Sequence, residues 1–177
     1  MRFVDFLKTT VLVCAAAATA LGAVAVAGAS ADDDTTLLVF CAAWWAVAAA
    51  IGVILGRRAE ASPPIARLLS GARATTTLPE HARPGAVLVN RLWPLMVAMI
   101  GSGAVAFLTP QVPAIAAGFA LIMALSWRRQ DAAVTAIEER DGAAFFVERT
   151  SPFKPMQLVR TPGFRRIGPF PSHDGLS

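Results

Sequence analysis

Residues 9–56 read TTVLVCAAAATALGAVAVAGASA, then DDD, then TTLLVFCAAWWAVAAAIGVILG, with Arg57-Arg58 immediately after. Neither apolar run contains a charged side chain, and each is long enough to cross a hydrocarbon core of about 30 Å as a helix. The three aspartates between them leave room for only a tight turn. Two charge-free runs joined by an acidic turn and closed by paired arginines predict two membrane-spanning helices, over 9–31 and 35–56. The composition of the whole chain agrees. Its 177 residues are 55% hydrophobic, its mean hydropathy is +0.56, and the apolar residues are blocked into runs instead of being spread at core spacing.

Two further charge-free segments lie at 92–108 and 112–127. As helices they reach only about 26 Å and about 24 Å. A full hairpin in a locally thinned bilayer fits, with Arg128 and Arg129 snorkelling to the interface. So does a re-entrant hairpin turning at the uncharged Thr109-Pro110-Gln111-Val112-Pro113. The full span is the expectation, because a shallow mismatch costs only fractions of a kcal/mol per Å. The fold class that follows is an all-α membrane protein: a four-helix transmembrane bundle of two hairpins over 1–127, with a connecting loop at 57–91 and a tail at 128–177.

Charge sets the orientation. The first connection holds Asp32, Asp33 and Asp34 and no positive charge, whereas the 57–91 loop holds six arginines against Glu60 and Glu80. Arg2 and Lys8 precede the first run, and Arg128 and Arg129 follow the last. The positive-inside rule places all of these in the cytoplasm, giving an N-in, C-in multi-pass protein of the cell membrane. Arginine outnumbers lysine fourteen to two in a chain rich in alanine and glycine, which points to a bacterial source and hence the inner membrane. A competing reading takes residues 1–31 as a cleaved secretory signal ending in Ala29-Ser30-Ala31. The apolar run exceeds the usual signal core of 7–15 residues, so a retained helix is the expectation.

Lipid gives no hydrophobic drive between helices, so association depends on close backbone approach. Small residues recur at four-residue spacing: Ala48, Gly52 and Gly56 in the second helix, Ala98, Ser102 and Ala106 in the third, and Ala116, Ala120 and Ala124 in the fourth. These faces predict a tight bundle or a homo-oligomer. Trp44 and Trp45 fall inside a helix instead of at its end, and are expected to pack on neighbouring helices or lipid.

In the loop, Ser62 followed by Pro63-Pro64 and by Ile65, Leu68 and Leu69 has the pattern of a capped short helix ending at Gly71. A solvated connector is the competing reading. In the tail, Arg140-Asp141-Gly142 separates two apolar-rich runs, and Asp-Gly in that setting predicts a β-hairpin over 134–149, with Ile137 opposite Phe146. The competitor is a helix that continues through Arg128 and stops at Gly142. Beyond it, prolines stand among Phe153, Lys154, Arg160, Phe164, Arg165 and Arg166. That segment is expected to stay extended and to dock on a protein partner or on anionic lipid.

The four apolar segments contain no ionisable residue, which argues against ion-coupled transport, since that chemistry needs a titrating group in the membrane. His81 and His173 are isolated, without a second ligand at metal spacing, and there is no phosphate-cradling glycine loop or G-x-S-x-G. No catalytic group, cofactor, metal site or nucleic-acid partner is therefore expected. The leading expectation is an accessory or scaffold protein that binds a partner or the inner leaflet through its tail. The alternative is a passive channel or transporter subunit acting as a homo-oligomer.

Overall fold

The computed structural model describes residues 1–57, 60–74, 84–106, 108–148 and 156–162. It is mostly helical with one small sheet. Helix α1 spans Phe3–Ala31, α2 Thr35–Leu55, α3 Pro63–Ser70, α4 Pro84–Val105, α5 Gln111–Trp127 and α6 Gln130–Asp141. Four helical stretches are long and apolar enough to cross a membrane: Phe3–Ala31, Thr35–Leu55, Gly85–Val105 and Gln111–Asp141.

The acidic turn shows why α1 and α2 can sit so close in sequence. Asp33 takes a left-handed backbone conformation at φ 53°, which aspartate tolerates better than most residues. Asp34 then caps α2, its side-chain carboxylate accepting from the Leu37 N–H at 2.9 Å.

Charge-free runs misjudge the third helix. It begins at Pro84, well before residue 92, and carries Asn90 and Arg91 within its first turns. At 22 residues it is about 33 Å long, so the apparent shortfall came from counting only uncharged residues. Pro94 lies inside it and removes one backbone donor. The short helix in the loop forms as α3, with Pro63 and Pro64 in its first turn and Gly71 at its end. Ser62 stands at the N-cap position but makes no side-chain cap hydrogen bond.

The β-hairpin expected over 134–149 does not form. Residues 130–141 are helical, and the chain turns at Gly142, whose backbone is left-handed at φ 57° and whose N–H donates to the Glu138 carbonyl. A type I′ turn requires residues at positive φ and a helix C-terminus often uses one, and Asp-Gly can supply it for either. Burial of Gln130, Ala133, Val134 and Glu138 along one side of α6 decides for the helix. The strand after Gly142, β2 (Ala143–Val147), pairs antiparallel with β3 (Leu158–Pro162), Phe146 facing Val159 and Val147 facing Leu158. A two-residue strand, β1 (Arg73–Ala74), joins the other edge of β3 in parallel, giving the order β1-β3-β2.

Packing divides the molecule into two regions. At the acidic end, Ala25 and Ala29 of α1 meet Leu37 and Cys41 of α2 and Ala114 of α5. Both α1 and α2 pack chiefly against α5 and only lightly against each other, so consecutive helices are not the principal pairs. At the basic end, Phe3, Val4, Phe6 and Leu7 of α1 form one core with Ile65 of α3, Val87 of α4, Val134 of α6, Phe145 and Val147 of β2 and Leu158 of β3. Cleavage after Ala31 would strip four of those residues from that core.

Candidate functional site

The basic end is a folded cap, and its construction starts from the chain's first residues. Phe3, Phe6, Leu7 and Thr10 follow helical i, i+3, i+4, i+7 spacing, and all four are buried. This gives the start of α1 an apolar face that continues past the charge-free run into the cap. Met1 and Arg2 then lie beside β2: the Val147 N–H donates to the Met1 carbonyl at 3.1 Å, and Arg2 bridges Phe146 in antiparallel fashion.

Glu138 closes the rest of that edge. It is buried, with one carboxylate oxygen accepting from the Phe145 N–H at 2.9 Å and the other from Arg2 Nη2 at 2.6 Å. One side chain thus ties α6, β2 and the start of the chain together, and the outward N–H groups of Phe145 and Val147 are occupied instead of offering a template for another strand. Gln130 does similar work at the start of α6. Its buried side-chain oxygen accepts from the Ser62 N–H at 2.9 Å and its amide reaches the Glu60 carbonyl at 3.5 Å, fixing the entry to α3 against α6.

The tail residues picked out by sequence are only partly described. Arg160 lies on β3, exposed, its guanidinium reaching the Asp141 carbonyl at 3.5 Å. Phe153, Lys154, Phe164, Arg165 and Arg166 lie outside the described residues. Next to Arg160, Arg140 and Asp141 form an exposed ion pair at 2.9 Å. The hydrogen bond from Arg140 holds the Asp141 carboxyl below its usual value, with the charges of Arg140 and Arg160 acting in the same direction.

The small-residue faces part company. Gly52 and Gly56 stand against α5: a Cβ on Gly52 would come within 2.7 Å of the Leu125 Cβ, and one on Gly56 would collide with the Leu125 carbonyl. Ala48 is fully buried on the same face. Ala98 is exposed, and Ser102 and Ala106 are half-covered. Ser102 turns its hydroxyl back to the Ala98 carbonyl at 2.7 Å.

Trp44 and Trp45, expected on neighbouring helices or lipid, lie against α5, and their hydrogen bonds are what the sequence reading lacked. Trp45 Nε1 donates to the Ala114 carbonyl at 2.9 Å and Trp44 Nε1 to the Ile115 carbonyl at 3.3 Å. The Trp44 ring meets Phe119 edge-on at 5.6 Å and occupies the space beside Gly118. An indole N–H inside an apolar region needs an acceptor, and that requirement was the available signal. Glu138 and Gln130 gave no such signal, because their partners are distant in sequence and a polar residue in a polar stretch looks solvated.

Among the described residues, no group of three or more His, Cys, Asp or Glu side chains could hold a metal ion. Compared with known proteins, the chain matches no family model, no curated protein and no solved structure significantly. The fold by itself defines a class: four helices fit to span a membrane, consistent with a multi-pass membrane protein, carrying a small sheet-containing cap.

Proposed function

We propose that this is a multi-pass accessory or scaffold protein of a bacterial inner membrane, with both ends of the chain in the cytoplasm. Its folded cap presents the basic, proline-rich segment around Arg160 and beyond to a protein partner. The observation that carries the reading is the cap itself. Five separated stretches of chain build one apolar core at the basic end, so the segment after β3 departs from a fixed platform. A platform of this kind lowers the entropy lost when the segment binds. The charge difference between the two ends supports the orientation, since Asp32, Asp33 and Asp34 lie at the end opposite the arginines.

Affinity purification in mild detergent tests it, comparing the full chain with one ending at Pro162 and with Arg165→Glu/Arg166→Glu. Both altered chains keep every residue of the cap core. A protein recovered with the full chain and lost from both alterations is expected. If the same proteins, or none, accompany all three, the docking role is wrong. The second reading, passive conduction by an oligomer, draws on Ala98 and Gly101 of α4, which no other helix covers. Solute flux in liposomes holding only this protein would support it, and a tight bilayer at high protein load would remove it.

A further inference from the structure

Where α2 and α5 end, three arginines leave neighbouring stretches of backbone. Gly56, at the C-terminus of α2, lies against the Leu125 carbonyl of α5 with no room for a side chain. The residues just past each helix therefore emerge side by side: Arg57 after α2, Arg128 and Arg129 after α5. Arg129 Nη1 donates to the Arg57 carbonyl at 3.4 Å, which holds one guanidinium against the backbone carrying the next. All three side chains are exposed. Among the described residues the ion pairs are Arg2–Glu138 and Arg140–Asp141, and neither involves this cluster. Glu60 and Asp131 are its nearest acidic neighbours along the chain.

Helix dipoles account for part of this arrangement. Arg57 sits at the C-terminus of α2, where a cation is favourable. The same argument is weaker for the other two, because Arg128 and Arg129 stand between the C-terminus of α5 and the N-terminus of α6, whose end charges oppose each other. Three like charges remain gathered at the rim of two apolar helices, a position that calls for an anion. Guanidinium forks suit the oxygens of a phosphate in particular, binding them two at a time.

We infer that Arg57, Arg128 and Arg129 form a binding site for the phosphate headgroup of an anionic phospholipid in the leaflet at the basic end of the bundle. Position supports lipid as the source of that phosphate. Leu55 and Trp127 close the apolar runs directly before the arginines, which puts the guanidiniums at the boundary of the hydrocarbon, where headgroups lie. The site does not depend on the docking role, which concerns residues beyond the cap.

The test uses the full-length protein in mild non-ionic detergent, titrated separately with phosphatidylglycerol, phosphatidylcholine and inorganic phosphate, with binding read by native mass spectrometry and by thermal shift. The wild type is compared with Arg57→Gln/Arg128→Gln/Arg129→Gln and with Arg67→Gln/Arg73→Gln/Arg140→Gln, which removes equal charge elsewhere on the same end. Arg57→Lys/Arg128→Lys/Arg129→Lys retains charge at the cluster and keeps the test open should the first variant fold poorly. Expected are phosphatidylglycerol binding by the wild type, at least a tenfold loss in the first variant, less than a twofold change in the second, and an intermediate loss in the lysine variant. Equal losses in the two glutamine variants would make the binding diffuse and overturn the site. A thermal shift from inorganic phosphate equal to that from phosphatidylglycerol would overturn the assignment to lipid, as would equal binding of phosphatidylcholine.

Discussion

The bundle and the cap pack by opposite rules. In the bundle the contacts are made by small residues: Ala25, Ala29, Ala48, Ala114, Ala117, Ala120 and Ala124 are all buried, while Leu12, Val39, Ile54, Val97 and Ile100 face outward. In the cap the order reverses, with Phe3, Phe6, Leu7, Val134 and Phe145 inside. Solvent accounts for the difference. Bulky apolar side chains gain nothing by leaving lipid, so helices in a bilayer associate through close backbone contact. In water the same side chains are driven inward, at roughly 25 cal/mol per Å². The change of rule occurs within α1, between the buried Phe3–Leu7 face and the outward-facing Leu12.

The largest effects should come from applying each region's damage to the other. Phe145→Ala empties a nearly fully buried ring position and should cost the cap about 3–5 kcal/mol, read as a lower midpoint in denaturant unfolding of the detergent-solubilised protein. Ile100→Ala, on the outer face of α4, should leave that midpoint unmoved. Equal losses would mean that the outward face of the bundle is covered in the native protein. Next comes Gly56→Leu, which has no route past the Leu125 carbonyl. Overpacking costs about 1–3 kcal/mol where side chains can yield, and here the obstacle is backbone, so the upper end of that range is expected. Ala98→Leu, the same kind of change on exposed α4, should stay within about 0.5 kcal/mol.

The bundle was more legible than the cap for reasons the residues make plain. Membrane helices announce themselves locally, since an uncharged run such as residues 35–56 needs no knowledge of its neighbours. Even there, the start of α4 escaped, because Arg91 and Asn90 belong to the helix while lying outside its apolar stretch. The cap is held by contacts across most of the chain, such as Arg2 with Glu138 and Ser62 with Gln130, and no window of sequence contains both partners. Asp141-Gly142 fixed the site of a chain reversal but not which structure preceded it. The faces of small residues were visible as a pattern. Which of them meets another helix depends on where α5 lies, and spacing alone cannot tell the covered Gly52 and Gly56 from the open Ala98.

The polar joints of the cap allow a finer test. Glu138→Ala leaves the buried Phe145 N–H without its acceptor, a loss of about 1–3 kcal/mol. The pair with Arg2 adds little to this, because Arg2 is 52% exposed and solvent screens it. Arg2→Ala should therefore cost clearly less than Glu138→Ala in the same unfolding experiment. Equal losses would mean that the ion pair, and not closure of the β2 edge, is what Glu138 provides.

The smallest effect expected is a response to acid, and it should belong to the cap alone. Asp141 has its carboxyl lowered from the ordinary value of 3.8 by the hydrogen bond from Arg140 and by the nearby positive charges. A depressed folded-state value means that the folded form holds its proton less tightly than the unfolded form does. The contribution is thus present above the unfolded value and fades as pH falls through the folded one, below about pH 4. Asp141 and Arg140 are both exposed, so the effect is weak and should shrink further in high salt. Comparing wild type with Asp141→Asn at pH 7 and pH 3 isolates it: the small difference at neutral pH should close in acid. The apolar runs of the bundle hold no Asp, Glu, His, Lys or Arg, so helix content measured by circular dichroism in the same samples should not change between the two pH values. An acid-driven loss of bundle helix that Asp141→Asn also shows would place the pH-sensitive group elsewhere, and would mean that the two regions do not unfold independently.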